Sequence, residues 1–368
     1  MKRITNYLLK CSFLLAVLAM LISCKEKDFM GSPDQTKGSR HLQLSKEGEA
    51  VKENYSWLYF PSMEVFKVTM SDLHTKYEKP GMLATWEKQF GNFISLRNAY
   101  ERIDADTSEE RRAPTVDSLI RSNQLLDCPD SFFATVINKD GYIQIADTIY
   151  SFKPGMEKGE AFAIPDKYIG EVLKGTPVRE LDDVKTHYTS FIRIPFIRWW
   201  ESGENSLDLR LPICFYPSGS MGNWWGQSGD DIYAGDDGQV FPEHNGRQVR
   251  LNYHRWRVGY IFYASTGVRV KMWKHTRFAG WQSVTYADEM IMEACCKGNV
   301  LIPGFAPIGF NERTSPDWPY FARHAENNFE KTLKWTANGI FNEIMLEHFN
   351  FHFKVNYRGR IVERNIRQ

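Results

Sequence analysis

The chain has 368 residues, with 46 Lys and Arg against 45 Asp and Glu and a net charge of +1. No overall charge excess directs it to nucleic acid or to an anionic lipid surface. It is long enough for one large or two medium domains, and its 14% of aromatic residues favours β-rich structure and stacking surfaces.

Lys2 and Arg3 open the chain, and an apolar run extends from Cys11 to Ile22. A helix crossing a bilayer needs roughly 18 or more apolar residues, so this run is too short to remain as a span. It ends in Leu21-Ile22-Ser23-Cys24, with small Ser23 just before the thiol. That is the grammar of a lipobox, in contrast to the A-x-A ending of a plain signal peptide, which is the alternative here. The expectation is a signal peptide over residues 1–23 and a lipid on Cys24. At about 0.8 kcal/mol per buried CH₂, several acyl chains hold a protein on the membrane far more firmly than one. Lys25, Glu26, Lys27 and Asp28 resemble the export signals that carry lipoproteins to the surface of Bacteroidota-type bacteria. The expected address is the cell envelope, anchored to the outer membrane, with a surface-facing and a periplasm-facing pose both open. Residues 24–52 are polar, with Gly31, Ser32, Pro33 and Gly38, and read as a flexible tether.

An α+β module is expected over residues 53–165. Aromatics crowd a strand at Tyr55–Phe60. A helix follows from Ser62, with Val65, Phe66, Leu73 and Tyr77 at helical spacing, until Pro80-Gly81 breaks it. A second helix carries Trp86, Phe90, Phe93, Ile94, Leu96 and Tyr100, and a third runs from Val116 to Leu126. Phe132–Ile137 and Tyr142–Ala146 then alternate around Asn138-Lys139-Asp140-Gly141, which predicts a hairpin continuing through Asp147–Phe152.

The order of these segments carries a resemblance. An aromatic strand, a Ser-Met-Glu-x-Phe helix, Trp86, Phe93-Ile94-Ser95-Leu96-Arg97, Pro129–Ala134 and Gly141–Tyr150 together resemble a family of uncharacterised Bacteroidota-type lipoproteins, a domain of unknown function. The resemblance covers most of residues 55–152 and reaches the rest of the chain only in general layout. It implies a surface or outer-membrane address and no activity.

Residues 166–368 read as a mostly antiparallel, sandwich-like β module. Strands are expected at Thr189–Trp200, Leu207–Tyr216, Arg250–Ala264 and Gly267–Phe278, the last two around a Ser265-Thr266-Gly267 turn. Ser218–Gly246 reads as a Gly- and Asp-rich loop, Asp288–Lys297 as helical, and Pro303–Pro319 as a loop. Phe329–Thr336 and Ile340–Val355 flank an Asn338-Gly339 turn, with Phe349, Phe351, Phe353, Val355 and Tyr357 alternating. Of the cysteines beyond Cys24, no C-x-x-C spacing suggests structural zinc. Buried thiols are expected for most of Cys128, Cys214, Cys295 and Cys296.

Three constellations suggest a site. Arg269, Lys271, Trp273, His275 and Arg277 share one strand face by alternation. They would form a cationic, aromatic strip for an anionic glycan, or a solvent face whose charges pair across the sheet with the acid-rich stretch before it. Trp224 and Trp225 offer a stacking surface or a core anchor. Asp230, Asp231, Asp236 and Asp237 are the only metal candidates, in a loop where turn formation explains them as well. No H-E-x-x-H, P-loop or G-x-G-x-x-G motif is present, and Ser218–Gly222 only brushes the G-x-S-x-G elbow. The sequence therefore points to no catalytic residue and no cofactor. It reads as a lipid-anchored envelope protein that binds a glycan or an envelope protein. A carbohydrate-active hydrolase and a structural part of an envelope complex are the alternatives.

Overall fold

The computed structural model describes residues 51–77, 81–105, 116–154, 159–188, 227–233, 241, 246, 248–276, 280–282, 285–314, 321–324, 328–339 and 342–366. Residues 49–368 form one compact unit. No described helix is long and apolar enough to cross a membrane.

The first half is built on a six-stranded sheet. Its strands, in spatial as well as chain order, are β1 (Lys52–Asn54), β2 (Trp57–Phe60), β3 (Tyr142–Ile145), β4 (Thr148–Lys153), β5 (Glu160–Pro165) and β6 (Lys185–Tyr188). Only β2 and β3 run parallel. A parallel pair needs a long crossover, and the described residues of this one form five helices: α1 (Met63–Lys76), α2 (Met82–Glu87), α3 (Leu96–Ala105), α4 (Val116–Arg121) and α5 (Ser131–Val136). A short α6 (Ile169–Leu173) follows β5.

Local chemistry explains the helix starts. Ser62 caps α1 by accepting from the Val65 N–H at 3.2 Å, and Asp130 caps α5 by accepting from the Phe132 and Phe133 N–H groups at 3.0 and 3.2 Å. That second cap corrects the expected hairpin. Phe132–Val136 is a helix, and its residues are all buried, so the polar alternation that would separate helix from strand is missing. The corner at Asn138–Gly141 is real but joins a helix to a strand. Asn138 Oδ1 accepts from the N–H groups of Asp140 and Tyr142 at 3.1 and 2.7 Å, while its amide donates to the Ser56 carbonyl at 3.0 Å. The expected second helix is likewise two, α2 and α3. Buried Glu87 at the end of α2 accepts from Ser95 and is ion-paired with Arg97 at the start of α3.

The second half contains two antiparallel sheets, as the sequence leads one to expect. One has the order β10 (Gly280–Gln282), β9 (Tyr263–Thr276), β8 (Val249–Tyr260), β7 (Gln227–Tyr233), with β14 (Asn328–Ala337) also on β9. The other has the order β12 (Ile308–Arg313), β11 (Glu289–Leu301), β15 (Glu343–Tyr357), β16 (Arg360–Ile366), with β13 (Phe321–His324) also on β11. A shared core joins their facing sides: Leu251, Val268, Val270 and Met272 from one, Met292, Phe349, Phe351 and Phe353 from the other. In β15 the buried positions change parity between Leu346 and Phe349. A bulge opposite Lys297 and Gly298 accounts for this by inserting one unpaired residue.

Several expectations fail here. Pro303–Pro319, read as a loop, carries β12, and the strand expected to run on through Asp147–Phe152 turns at Ala146-Asp147 into antiparallel β4. Asp288–Lys297 is not helical: Glu289–Lys297 belongs to β11, and from Met292 to Cys296 both faces are buried, so the period-two signal is lost there. The β8–β9 turn lies at Ile261-Phe262, with Ile261 at φ 59, and Ser265–Gly267 is strand. Gln227–Tyr233, expected as loop, is β7. The Asn338-Gly339 turn leads β14 to β15, which sit in different sheets. Thr189–Trp200 and Leu207–Tyr216 lie outside the described residues.

The β8–β9 turn has a second role. Tyr260, Ile261, Phe262 and Tyr263 join the core of the first half. Phe262 packs against Phe66, Tyr150 and Phe133 at centroid distances of 5.2, 4.4 and 6.1 Å. The tip of the second half's longest hairpin thus completes the core of the first. Cys128 and Cys296 are buried free thiols, and Cys295 is disulfide-bonded.

Candidate functional site

Where α3 and α4 face strands β8 and β9, a small cleft of about 40 Å³ remains, partly open to solvent. Tyr100 and Asp104, one helical turn apart on α3, line it together with Val116 and Ile120 of α4 and with Asp127 and Cys128 from the segment before α5. The sheet contributes Asn252 from β8 and Arg269, Lys271 and Trp273 from β9. Alternation along β9 places the last three on one face, and Asn252 is the ladder partner of Lys271.

The charges of this cleft are balanced. The Lys271 ammonium donates to Asp104 Oδ2 at 2.6 Å, with both side chains largely buried. Arg269 faces Glu330 across the β9–β14 ladder. Burial raises the Glu330 carboxyl, and the Arg269 charge and hydrogen bonds from Ser131 oppose the rise. Ser131 gives Glu330 its N–H at 2.9 Å and its hydroxyl at 2.7 Å. Trp273 is 5% exposed, and its ring already carries the Lys271 ammonium at 4.3 Å and the Arg250 guanidinium at 5.3 Å.

The floor of the cleft is a buried polar chain. Tyr100 Oη donates to the Leu126 carbonyl and accepts the Cys128 N–H at 3.0 Å. Tyr260 donates to the Asp127 carbonyl at 3.2 Å. Burial pushes the Cys128 thiol and the Tyr100 and Tyr260 phenols well above their usual ranges, so all three stay protonated. Beyond them, Tyr263 donates to Asp130 Oδ2 at 2.6 Å, which leaves its oxygen to accept from His74 Nε2 at 3.3 Å. Burial, then the Lys331 charge, pushes His74 down to about 3, although part of its ring still reaches solvent.

Four polar atoms of the lining are buried without a hydrogen-bond partner: Asp104 Oδ1, Asn252 Oδ1, Arg269 Nε and Trp273 Nε1. Such atoms are uncommon in folded proteins because each forfeits its hydration. Four around one cleft make it the strongest candidate site in the described residues.

Of the sequence candidates, the structure gathers Arg269, Lys271 and Trp273 in this cleft. It differs from the exposed strip expected: the three side chains lie under the helices, and Lys271 pairs with α3 rather than with the acid-rich stretch. Cys24, Trp224, Trp225, Arg277, Asp236 and Asp237 lie outside the described residues, as does the side chain of His275. Asp230 and Asp231 are in β7 beside a register shift, their side chains likewise outside the description. Among the described residues no group of three His, Cys, Asp or Glu side chains could hold a metal. Tyr100, Asp104, Asp127 and Asn252 went unread. The i, i+4 spacing of Tyr100 and Asp104 puts them on one helix face, but nothing local says that face meets a strand some 165 residues onward, as the 167-residue separation of Asp104 and Lys271 shows.

No protein-family model matches the chain, and no curated protein matches it in sequence. The crystal structure of a DUF4848 family protein from Bacteroides thetaiotaomicron is matched over 87% of this chain and 100% of that one, at 9% identity and a TM-score of 0.20. A likeness of that strength carries no argument.

Proposed function

We propose that this chain is a lipid-anchored protein of the bacterial cell envelope that works by binding rather than by catalysis. One observation carries the binding reading: the cleft between the α3–α4 layer and the β8–β9 sheet, whose lining holds four buried polar atoms without partners. Catalysis finds little support in the same cleft. Cys128 is held as a thiol and Asp104 is engaged with Lys271, so neither is poised as nucleophile or proton donor. The address rests on the lipobox ending at Cys24, and the disulfide at Cys295 fits an oxidising compartment. The second reading, a carbohydrate-active hydrolase, is favoured only by two carboxylates, Asp104 and Asp127, lining one cleft.

Two measurements on the full chain test this. Labelled palmitate should enter the wild type and not Cys24→Ala; an unlabelled wild type would defeat the anchor. Glycan-array binding should be seen for the wild type and weaken about tenfold or more in Arg269→Ala. Release of reducing ends would select the hydrolase, and no binding at all would leave a structural role.

A further inference from the structure

Apolar residues scattered singly over a surface mean little. At the tip of the β11–β12 hairpin they are contiguous. The ten residues Leu301–Phe310 carry no polar side chain, and all seven from Pro303 to Gly309 are exposed. Phe305 is 69% exposed and Ile308 47%. At the same end of the sheet Met345 of β15, the ladder partner of Asn299, is 43% exposed. A turn that met only water would be built from Ser, Asn and Asp, and a run of exposed apolar residues this long is a mark of function.

The hairpin is firmly mounted. Val300 and Phe310 are buried in the sandwich core at its base, and Ile302 packs against that core. Gly304 turns the chain at φ 84, and the Phe305 N–H donates to the Ile302 carbonyl at 3.0 Å. Pro303 and Pro307 have no N–H to donate. The tip thus carries few unmet donors into a medium that offers no hydrogen bonds. The charges nearest to it are matched. Glu343, the ladder partner of Leu301, pairs with Arg257 at 3.3 Å, and Lys297 pairs with Glu347 at 2.8 Å. A protein partner is recognised through about one hydrogen bond per 100–200 Å² of interface, and no side chain from Leu301 to Phe310 can make one. Acyl chains ask for none.

We propose that the β11–β12 tip is a membrane contact in its own right, inserting Phe305 and Ile308 into the acyl layer of the adjacent lipid leaflet. The proposal rests on the anchored reading for the nearness of the bilayer, and not on the cleft. Residues 25–50, read from composition as a tether, would span about 30 Å on average. A body held that close to the leaflet needs only weak insertion to stay inserted. The second contact turns a freely reorienting body into one with a fixed face toward the lipid.

The test uses the full chain in phosphatidylcholine vesicles containing a lipid with a photoreactive group in its acyl chain. After illumination, mass spectrometry locates the label. It should fall on Phe305 and Ile308, and be at least about tenfold lower in the double variant Phe305→Ser, Ile308→Ser. Both side chains are exposed, so Tm should stay unchanged, which separates lost insertion from lost fold. With its neighbouring charges matched, the tip should be labelled within about twofold equally at about 0.05 and about 0.5 M NaCl. A palmitate-labelled wild type whose hairpin takes no lipid label overturns the proposal and leaves the anchor standing. A hairpin labelled in a chain that takes up no palmitate upholds the proposal and removes the anchor. Labelling that requires anionic lipid and disappears at high salt overturns it. So does a photoreactive residue at position 305 that crosslinks in cells to a protein rather than to lipid.

Discussion

His74 shows how a single residue is set by neighbours far away in sequence. Its ring lies 4.1 Å from that of Phe132 and stacks on Trp335 at 5.1 Å, centroid to centroid, while Nε2 meets Tyr263. The folded protein resists protonating it, whereas the unfolded chain takes the proton near the ordinary 6.5. Between that value and about 3 the unfolded state binds more protons, so stability falls as pH drops through this window, by up to about 1.4 kcal/mol per unit and less in proportion to the ring's residual exposure. Asp130 and Glu330 work in the opposite sense: burial raises both, so they increasingly favour the folded state as pH falls through their raised folded values toward the ordinary carboxylate range. Urea midpoints measured from pH 7 to 4 should therefore drop less steeply in His74→Gln than in the wild type; parallel curves would show that His74 does not titrate with folding. None of this is visible in a scattered His, because the partners come from α5, β9 and β14. The β9 trio was legible by contrast, since alternation within one strand is a local property.

Among elements, β9 does the most. It pairs with β8 on one edge and with β14 and β10 on the other, and it offers one face to the sandwich core and the other to the cleft. Gly267 sits where this crowding is greatest: a Cβ there would run into the Trp256 ring and the Lys331 carbonyl. Gly267→Ala should cost about 1–3 kcal/mol, read as a lowered Tm, and an unchanged Tm would mean that β14 can shift away. The sequence marked Gly267 as a turn residue because Ser-Thr-Gly is turn-like in composition. Its real duty is close backbone approach within a strand, which composition alone does not separate from a turn. The α5 and β11 misreadings share another cause. Period is informative only when one face meets water, and Phe132–Val136 and Met292–Cys296 are covered all round.

For the whole molecule, the decisive junction is the β8–β9 tip in the core of the first half. Phe262 is 0% exposed and ringed by Phe66, Phe133, Tyr150 and Phe152. Phe262→Ala should lower stability by about 3–5 kcal/mol. Hydrogen exchange should then show amides of β2 and α5 losing protection together with those of β11 and β15; loss confined to one half would show that the two cores open separately. The α+β and antiparallel layout could be read in advance because strand and helix patterns are local. The shared core could not, since Tyr260–Tyr263 reads as strand interior and nothing local marks it as a turn buried in another core.

That junction also sets an order of events during synthesis. His74 and Tyr263 stand 189 positions apart, so the first half emerges long before the turn that closes its core. Until then the faces of Phe66 and Phe133 stay open, and contacts of such long range are slow to form. A chain of this kind commits to its shape only once synthesis has passed the turn that closes its first core.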